Sequence, residues 1–306
     1  MKNLQVAAWA AAGALLMASA VALAQGGPRE GQGKAIVTVL AGKHSELAPK
    51  ITVSELNLKV NGTATNITGW KPLREPDGGL ELVILIGNAA HNMNGGFFDE
   101  IAQFIKSMHP QTKVAVAYMQ NGTAKLAGPL SSDHAKVAGE LRLTIGPGVS
   151  PFFCLSDLAQ HWPSSERGVR REVLLISSGI DTWDRGYDPD DPYVQAAIAD
   201  SVRAGLVVYS IYWQNRVSQE SSFDGQNLLQ LITAATGGRG YGFGTDNPVS
   251  FKPYLDDLAV RLNNQYELDF TSQLKGKPEI KNFHLKAQIF ASEIDAPQQV
   301  FVNRSE

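Results

Sequence analysis

Three apolar runs constrain this chain more than any other feature: "LELVILI" at 80–86, "EVLLIS" at 172–177 and "LVVYSIYW" at 206–213. Each run is continuous rather than alternating, the pattern of a strand buried on both faces. Segments of helical period separate them. Phe98, Ile101, Ala102, Ile105 and Met108 recur at that spacing from about Gly96, and Pro110 closes the segment. Ser132-Asp133 caps a short helix from Ala135 to Leu141, and Leu155, Leu158, Ala159 and Trp162 mark another helical face. Asp191-Pro192 reads as the N-cap and first residue of a helix that Gly205 ends. Leu228, Leu231, Ile232 and Ala235 line the next, and Pro253 opens the last through Leu255, Leu258, Ala259 and Leu262. Buried strands alternating with amphipathic helices predict an α/β fold. Its sheet is mostly parallel, with helices on both faces.

The flanks read differently. "AIVTVLAG" and "LNLKV" are β-rich, and "LNLKV-NG-TATNITGW" reads as a hairpin, since Asn-Gly suits the positive φ of a type I′ turn. "KVAVAYM-QNG-TAKLAGPL" is a second strand–turn–strand unit whose later strand lies at a sheet edge. After the last helix, "YELDF" and "FHLKAQIFA" alternate, with Phe283, Leu285, Ala287 and Ile289 on one side, and "QQVFVN" adds a strand. These tail strands have no helices to pack on. They are expected to pair with the N-terminal strands in a small β-unit. The predicted organisation is a signal peptide over 1–24, a Gly-rich flexible segment over 25–34 and N-terminal strands over 35–77. The α/β domain follows over 78–265, and C-terminal strands over 266–306.

The N-terminus has the pattern of an export signal: Lys2, an Ala-rich apolar run, then Ala22-Leu23-Ala24 before polar "QGGPREGQGK". The competing reading is a retained membrane anchor, because the run nearly reaches spanning length. No Cys follows it, which argues against a lipoprotein anchor. The expected location is secreted or periplasmic, with no membrane span after cleavage. A formal net charge of −3 and the lack of a basic run argue against nucleic acid as a partner. The one cysteine, Cys154, lies among Phe152, Phe153 and Leu155 and reads as a small buried hydrophobe. Asn-x-Ser/Thr sequons occur at Asn61, Asn66, Asn121 and Asn303.

The order of elements, with "LVILIG", "VLLISSGID", "RAGLVVYSIYW" and "AATGGRGYGFG", resembles a von Willebrand factor A (VWA) domain. The likeness is to the secreted bacterial proteins called VWFA-related and spans about 80–266. It implies a doubly wound sheet with a binding face at the carboxyl ends of the strands, a location that also follows from the general rule for open α/β sheets. The family's usual tool is a metal-ion-dependent adhesion site, in which Asp-x-Ser-x-Ser, a middle-loop Thr and a later Asp hold Mg²⁺ or Mn²⁺. On this chain the first Asp falls on Gly87 and the two Ser on Ala89 and His91. The Thr falls near Pro151 or Phe152, and the later Asp on Ser178. Mg²⁺ needs hard oxygen ligands in near-octahedral geometry. Gly87 and Ala89 have no side-chain oxygen, His91 suits softer metals, and Ser178 is neutral. The substitutions are mutually consistent with a degenerate, metal-free face.

Other motifs are weaker. "DTWDRGYDPDD" contributes Asp181, Asp184, Asp188, Asp190 and Asp191 to the same rim. It suits Ca²⁺ by composition, but its spacing is not that of an EF-hand, and Asp191 is accounted for as a helix cap. "GGRGYGFG" follows a helix rather than a strand, so it is a helix stop and not a phosphate loop. The six histidines are scattered, and no nucleophile–base motif occurs. No cofactor is implied and an enzyme is not expected. The expected function is a VWA-like protein-binding module whose partner is another protein. Its binding rim comprises Asn88, His91, Asn92, Ser178, Asp181, Trp183, Asp184 and Tyr187. The rivals are a metal-dependent adhesin using the loop 181–191 and a structural subunit of an envelope assembly. Tyr212-Trp213 can serve the rim or fold back as core.

Overall fold

The computed structural model describes residues 29–42, 48–74, 78–87, 95–143, 150–181, 186–214, 219–287 and 292–304. Strands β1 (Arg29–Ala41), β2 (Leu56–Val60), β3 (Thr63–Ala64) and β4 (Ile67–Pro72) come first. The alternating region then runs β5 (Leu80–Ile86), α1 (Gly95–Ser107), β6 (Lys113–Gln120), β7 (Thr123–Leu126), α2 (His134–Ala138) and α3 (Pro151–Gln160). It continues with β8 (Arg170–Ser177), α4 (Pro192–Ala204), β9 (Leu206–Tyr212), α5 (Gln219–Thr236), β10 (Gly240–Tyr241) and α6 (Lys252–Leu262). Strands β11 (Gln265–Leu274), β12 (Glu279–Ala287), β13 (Ser292–Asp295) and β14 (Gln299–Arg304) complete it. Among the described residues, no helix is long and apolar enough to cross a membrane.

The three apolar runs lie side by side. One sheet has the order β10-β9-β8-β5-β6-β7, in which β5, β6, β8, β9 and β10 are parallel and β7 is antiparallel at the edge. Every residue of β5 and of β9 is buried, because helices cover both faces. α1, α2 and α6 pack on one face, and α3, α4 and α5 on the other. From β5 the chain winds outward through β6 and β7, and from β8 it winds the other way through β9 and β10. The order therefore switches between β5 and β8, the point at which the general rule for open α/β sheets places a binding crevice.

Local chemistry explains the element ends. Asp191 accepts the amide hydrogens of Tyr193 at 2.8 Å and Val194 at 3.0 Å, Pro192 opens α4, and Gly205 ends it at φ 67°. Asn121 and Gly122 turn β6 into β7 at positive φ, as the Asn-Gly pair predicts. Asp133 caps α2, accepting the amide of Lys136. The buried stripe of α1 is rotated from the predicted one: Phe97, Ile101, Phe104 and Ile105 face the core, and Phe98 and Ala102 are only partly buried. The aromatic volume of Phe97 and Phe104 set the rotation, which spacing alone left open.

The flanking strands form a larger unit than expected. Their sheet has eight strands, ordered β3-β2-β12-β14-β1-β11-β4 with β13 on β1, and its pairings are antiparallel. The mostly parallel description therefore holds for the first sheet alone. Residues 29–34, expected to be flexible, are the first half of β1, paired from Arg29↔Leu274 to Lys34↔Asp269. The glycines there are not linker residues. A Cβ at Gly33 would collide with the Phe270 ring, and one at Gly31 would lie 2.6 Å from Leu274 Cδ1. Side chains of β11 thus lie over β1 where it has none. β4 also departs from the hairpin reading. It leaves β3 for the opposite edge of the sheet, pairing with β11, where Trp70 stacks on Tyr266 with centroids 4.5 Å apart.

Two arginines fasten the sheets together. Arg170 at the start of β8 donates to the carbonyls of Gly78 at 2.9 Å and Leu262 at 2.7 Å, and to the Gln265 side chain. Arg261 at the end of α6 is buried and reaches Asp257 beside it and Asp295 and Glu293 on β13.

Candidate functional site

The crevice at the switch point is built from strand ends laced by backbone bonds. The amide of Gly87 donates to the Ile176 carbonyl at 2.8 Å, and that of Trp213 to Ser177 at 3.0 Å. The carboxyl ends of β5, β8 and β9 are thereby held level. Ser177 is buried and accepts the Gly179 amide at 3.1 Å, and Ser178 accepts that of Ile180 at 3.4 Å. Gly179, at φ 68°, passes directly against the backbone of Gly225 in α5. That contact tolerates no side chain on either residue.

The position where the resemblance expects the first metal-binding aspartate is crowded. A Cβ on Gly87 would lie 3.1 Å from the Ile176 carbonyl oxygen, 3.4 Å from Met119 Sδ and 3.6 Å from Ser177 Oγ. The Ile176 carbonyl would have to give by a few tenths of an ångström, and Met119 Sδ and Ser177 Oγ stand at ordinary contact distance. The middle-loop position is occupied by core: Pro151 and Phe152 are buried in the first turn of α3, which Ser150 caps. The described positions corresponding to the adhesion site therefore offer one neutral hydroxyl, Ser178, and no carboxylate. This donor set does not fit Mg²⁺ or Mn²⁺.

The acidic loop is placed in part. Asp181 is buried, and with Asp188 and Asp191 it lines a small depression floored by Phe152, Val194 and Leu228. Asp188 accepts the amide of Asp190 at 2.9 Å, and Asp191 is the α4 cap. Among the described residues, no group of three or more His, Cys, Asp or Glu could hold a metal ion. Of the sequence-predicted rim, Ser178, Asp181 and Tyr187 border this end of the sheet, and Tyr187 is exposed. Asn88, Ala89, His91, Asn92, Trp183 and Asp184 lie outside the described residues.

Tyr212 and Trp213 are core, not rim. Trp213 packs edge-on against Phe97 at 4.8 Å and Phe251 at 5.6 Å, and Tyr212 is fully buried with its hydroxyl on Ser222. Cys154 is buried, and burial pushes its thiol up to about 12, so it is no nucleophile at neutral pH. His134 meets the Thr112 carbonyl and His161 the Asp157 side chain, the latter an exposed pair one turn apart on a helix. The "GGRGYGFG" run ends α5 and enters β10, as its position after a helix implies.

Sequence reasoning missed one feature of this end. Among the described residues eight large apolar side chains are exposed, and five of them, Tyr187, Tyr193, Phe223, Phe243 and Val249, follow the carboxyl ends of β8, β9 and β10. The available signal was an aromatic at a helix start or in a Gly-rich loop, positions where no core face is being built.

Fold and site together define an open α/β module with a polar and aromatic rim, joined to an antiparallel sheet. No family model and no curated protein matches the sequence. Among solved structures the chain is similar to BatB from Bacteroides thetaiotaomicron, at 13% identity and a TM-score of 0.44, over 60% of this chain and 97% of that one. It is also similar to the vWF domain of the type V pili tip protein Mfa5 from Porphyromonas gingivalis, at 11% identity and 0.43, over 63% and 95%. The pilus adhesin SpaC from Lactobacillus rhamnosus GG aligns at 10% identity and 0.45, over 88% of this chain and 47% of that one. At these identities and TM-scores the likenesses assign this chain no residue role, ligand or partner.

Proposed function

We propose that this chain is a secreted or periplasmic VWA-like module that binds another protein through the carboxyl-end rim of its parallel sheet, without a metal ion and without catalysis. The observation that carries the metal-free reading is the donor set, since Gly87 has no side-chain oxygen, Ser178 has a neutral hydroxyl, and Pro151 and Phe152 are buried in the first turn of α3. An unpaired carboxylate there would be costly once the cation is gone. Glycine at 87 and serine at 178 avoid that cost. The rim reading rests on the strand order, which opens a crevice between β5 and β8, and on the sequence resemblance. In this reading 1–24 is removed on export, 78–265 carries recognition, and the eight-stranded sheet supports it.

The test has two arms. Titration calorimetry with Ca²⁺, Mg²⁺ and Mn²⁺ on the purified chain gives no binding heat; saturable heat from any of the three favours the metal-dependent adhesin. Cross-linking capture from the native host identifies the partner. Trp183→Ala and Asn88→Arg then reduce its capture; unchanged capture refutes the rim assignment. If the chain is instead a structural subunit, contacts come from the eight-stranded sheet. Surface changes such as His284→Glu on β12 then block assembly while rim variants assemble normally.

A further inference from the structure

The sheet end that carries the rim also carries most of the chain's exposed apolar side chains among the described residues. Tyr187 and Tyr193 flank the start of α4, where Phe153 meets the Tyr193 ring at 4.5 Å. Phe223 stands on the first turns of α5, and Phe243 lies in the loop that Gln226 of the same helix holds through both the amide and the carbonyl of Gly244. The Ser178–Gly179 backbone against Gly225 joins the two halves. Carried by the segments that follow β8, β9 and β10, the four rings share the carboxyl end of the sheet as an arc in strand order. Aromatic side chains held half in solvent on a single surface mark a contact site rather than scattered exposure.

Among the described residues, the charged side chains next to these rings in sequence are acidic; Arg185 and Arg216 of the same loops lie outside the described residues. Asp188 and Asp190 lie beside Tyr187, Asp224 follows Phe223, and Asp246 follows Phe243. The segment 178–191 has five aspartates and one arginine in its sequence. Among the described residues that follow β8, β9 and β10 on this end, the one basic side chain is Lys252, and its ammonium is held by Asp256 at 2.7 Å. The positive helix ends are already answered, α4 by Asp191 and α6 by Glu100. A metal-bearing face offers a cation to a partner's carboxylate. This face, with no metal ligands at 87 and 178, offers ring faces and carboxylates.

We propose that the rim recognises a basic segment of its partner protein, with arginine or lysine side chains laid over Tyr187, Phe223 and Phe243 and paired with the aspartates between them. Guanidinium and ammonium groups are attracted to ring faces and form charge-assisted bonds to carboxylates, so one side-chain type satisfies both features of the arc. This inference rests on the rim reading and specifies the partner's chemistry.

The test uses two fluorescent decapeptides, one alternating arginine and glycine and one alternating glutamate and glycine, with anisotropy measured on the full purified chain. The arginine peptide binds and the glutamate peptide does not. The pair Asp188→Asn with Asp190→Asn weakens binding about tenfold, as expected when two charge-assisted contacts are lost. The pair Asp269→Asn with Glu279→Gln, which removes equal charge from the other sheet, leaves binding within about twofold if attraction is local rather than due to net charge. Phe223→Ser and Phe243→Ser weaken it comparably, and circular dichroism verifies the fold of each variant. Equal or tighter binding of the glutamate peptide overturns the proposal, as does an equal loss from the two charge pairs. The rim reading fails separately: Phe223→Ser and Phe243→Ser then leave capture of the native partner unchanged. If they abolish that capture while the aspartate variants do not, the rim stands and the basic partner is refuted.

Discussion

The carboxylate of Glu100 accepts the amide hydrogen of Phe251 at 2.6 Å, joining the second turn of α1 to the start of α6 across 151 residues of chain. The same carboxylate takes the Lys252 amide at 3.1 Å and the Ser250 hydroxyl at 2.8 Å. One acidic side chain thus caps a helix to which it is not adjacent in sequence, and it anchors the loop that carries Phe243. Glu100→Ala should cost about 1–2 kcal/mol, the loss of a charged cap and the amides it leaves unpaired. Urea denaturation reads this, and Glu100→Gln should recover part of it. A neutral outcome for Glu100→Ala would show that water replaces the cap without penalty.

Gly87→Asp should not restore a metal site. The new carboxylate would stand beside the Ile176 carbonyl oxygen and Met119 with no cation to pair it, at a cost of about 1–3 kcal/mol. The thermal midpoint of the variant should fall and should not recover with Mg²⁺ or Mn²⁺. Recovery with either ion would show that the crevice adapts and that the donor set is completed elsewhere.

Arg261 is 2% exposed and touches three carboxylates from two elements. Arg261→Met should destabilise by about 1–2 kcal/mol, because Asp257 loses its cation and Asp295 keeps only Arg239 at 3.9 Å, a cost moderated by the partial exposure of both carboxylates. Arg261→Lys should recover little, since an ammonium cannot reproduce the fork that spans α6 and β13. Differential scanning calorimetry of the three proteins decides the matter.

Glu172 lies in β8 at zero exposure, with the Gln265 side chain and the Arg170 charge as its polar neighbours. Burial pushes its carboxyl up to about 7, against the pull of the Arg170 charge. The unfolded chain releases this proton near the ordinary value of 4.5, whereas the folded chain holds it to about 7. The folded state therefore binds the extra proton between those values. The stability associated with that proton is full below about 4.5, declines as pH rises and is lost above about 7, a span worth roughly 3 kcal/mol. Glu172→Gln should be more stable than the parent at pH 8 and flatten the pH profile between 5 and 7. A parallel profile for the two proteins would refute the assignment.

Cys154 should be silent toward a disulfide reagent at pH 8 in the folded chain and react fully in denaturant, since the thiol is buried and held well above its ordinary value. Rapid labelling of the native protein would show an opening of α3 against the sheet.

Much of the α/β sheet was legible because its signals are local. A continuous apolar run such as 80–86 can be stable only when covered on both sides, and Asp191-Pro192 with Gly205 marks the ends of a helix through the backbone geometry of three residues. The loss of the metal ligands at Gly87 and Ser178 was legible in the same way, because an absent oxygen needs no coordinates. The rotation of α1 was not, since apolar residues at 97, 98, 101, 104 and 105 permit more than one stripe and the opposing sheet chooses between them.

Residues 29–34 show the limit from the other side. "REGQGK" has the composition of a linker, yet it is strand because Phe270 and Leu274, more than 230 residues later, cover its glycines. β4 crosses to the far edge of its sheet for the same kind of reason, as the partner that buries Trp70 is Tyr266 on β11. The sequence by itself determined the buried strands and the helix ends, because each depends on residues within a few positions of one another. Only the tertiary structure decided that Met119 lies against Gly87, that Glu100 caps α6 and that Trp70 stacks on Tyr266. Each of those facts is a distance between residues that the chain brings together only by folding.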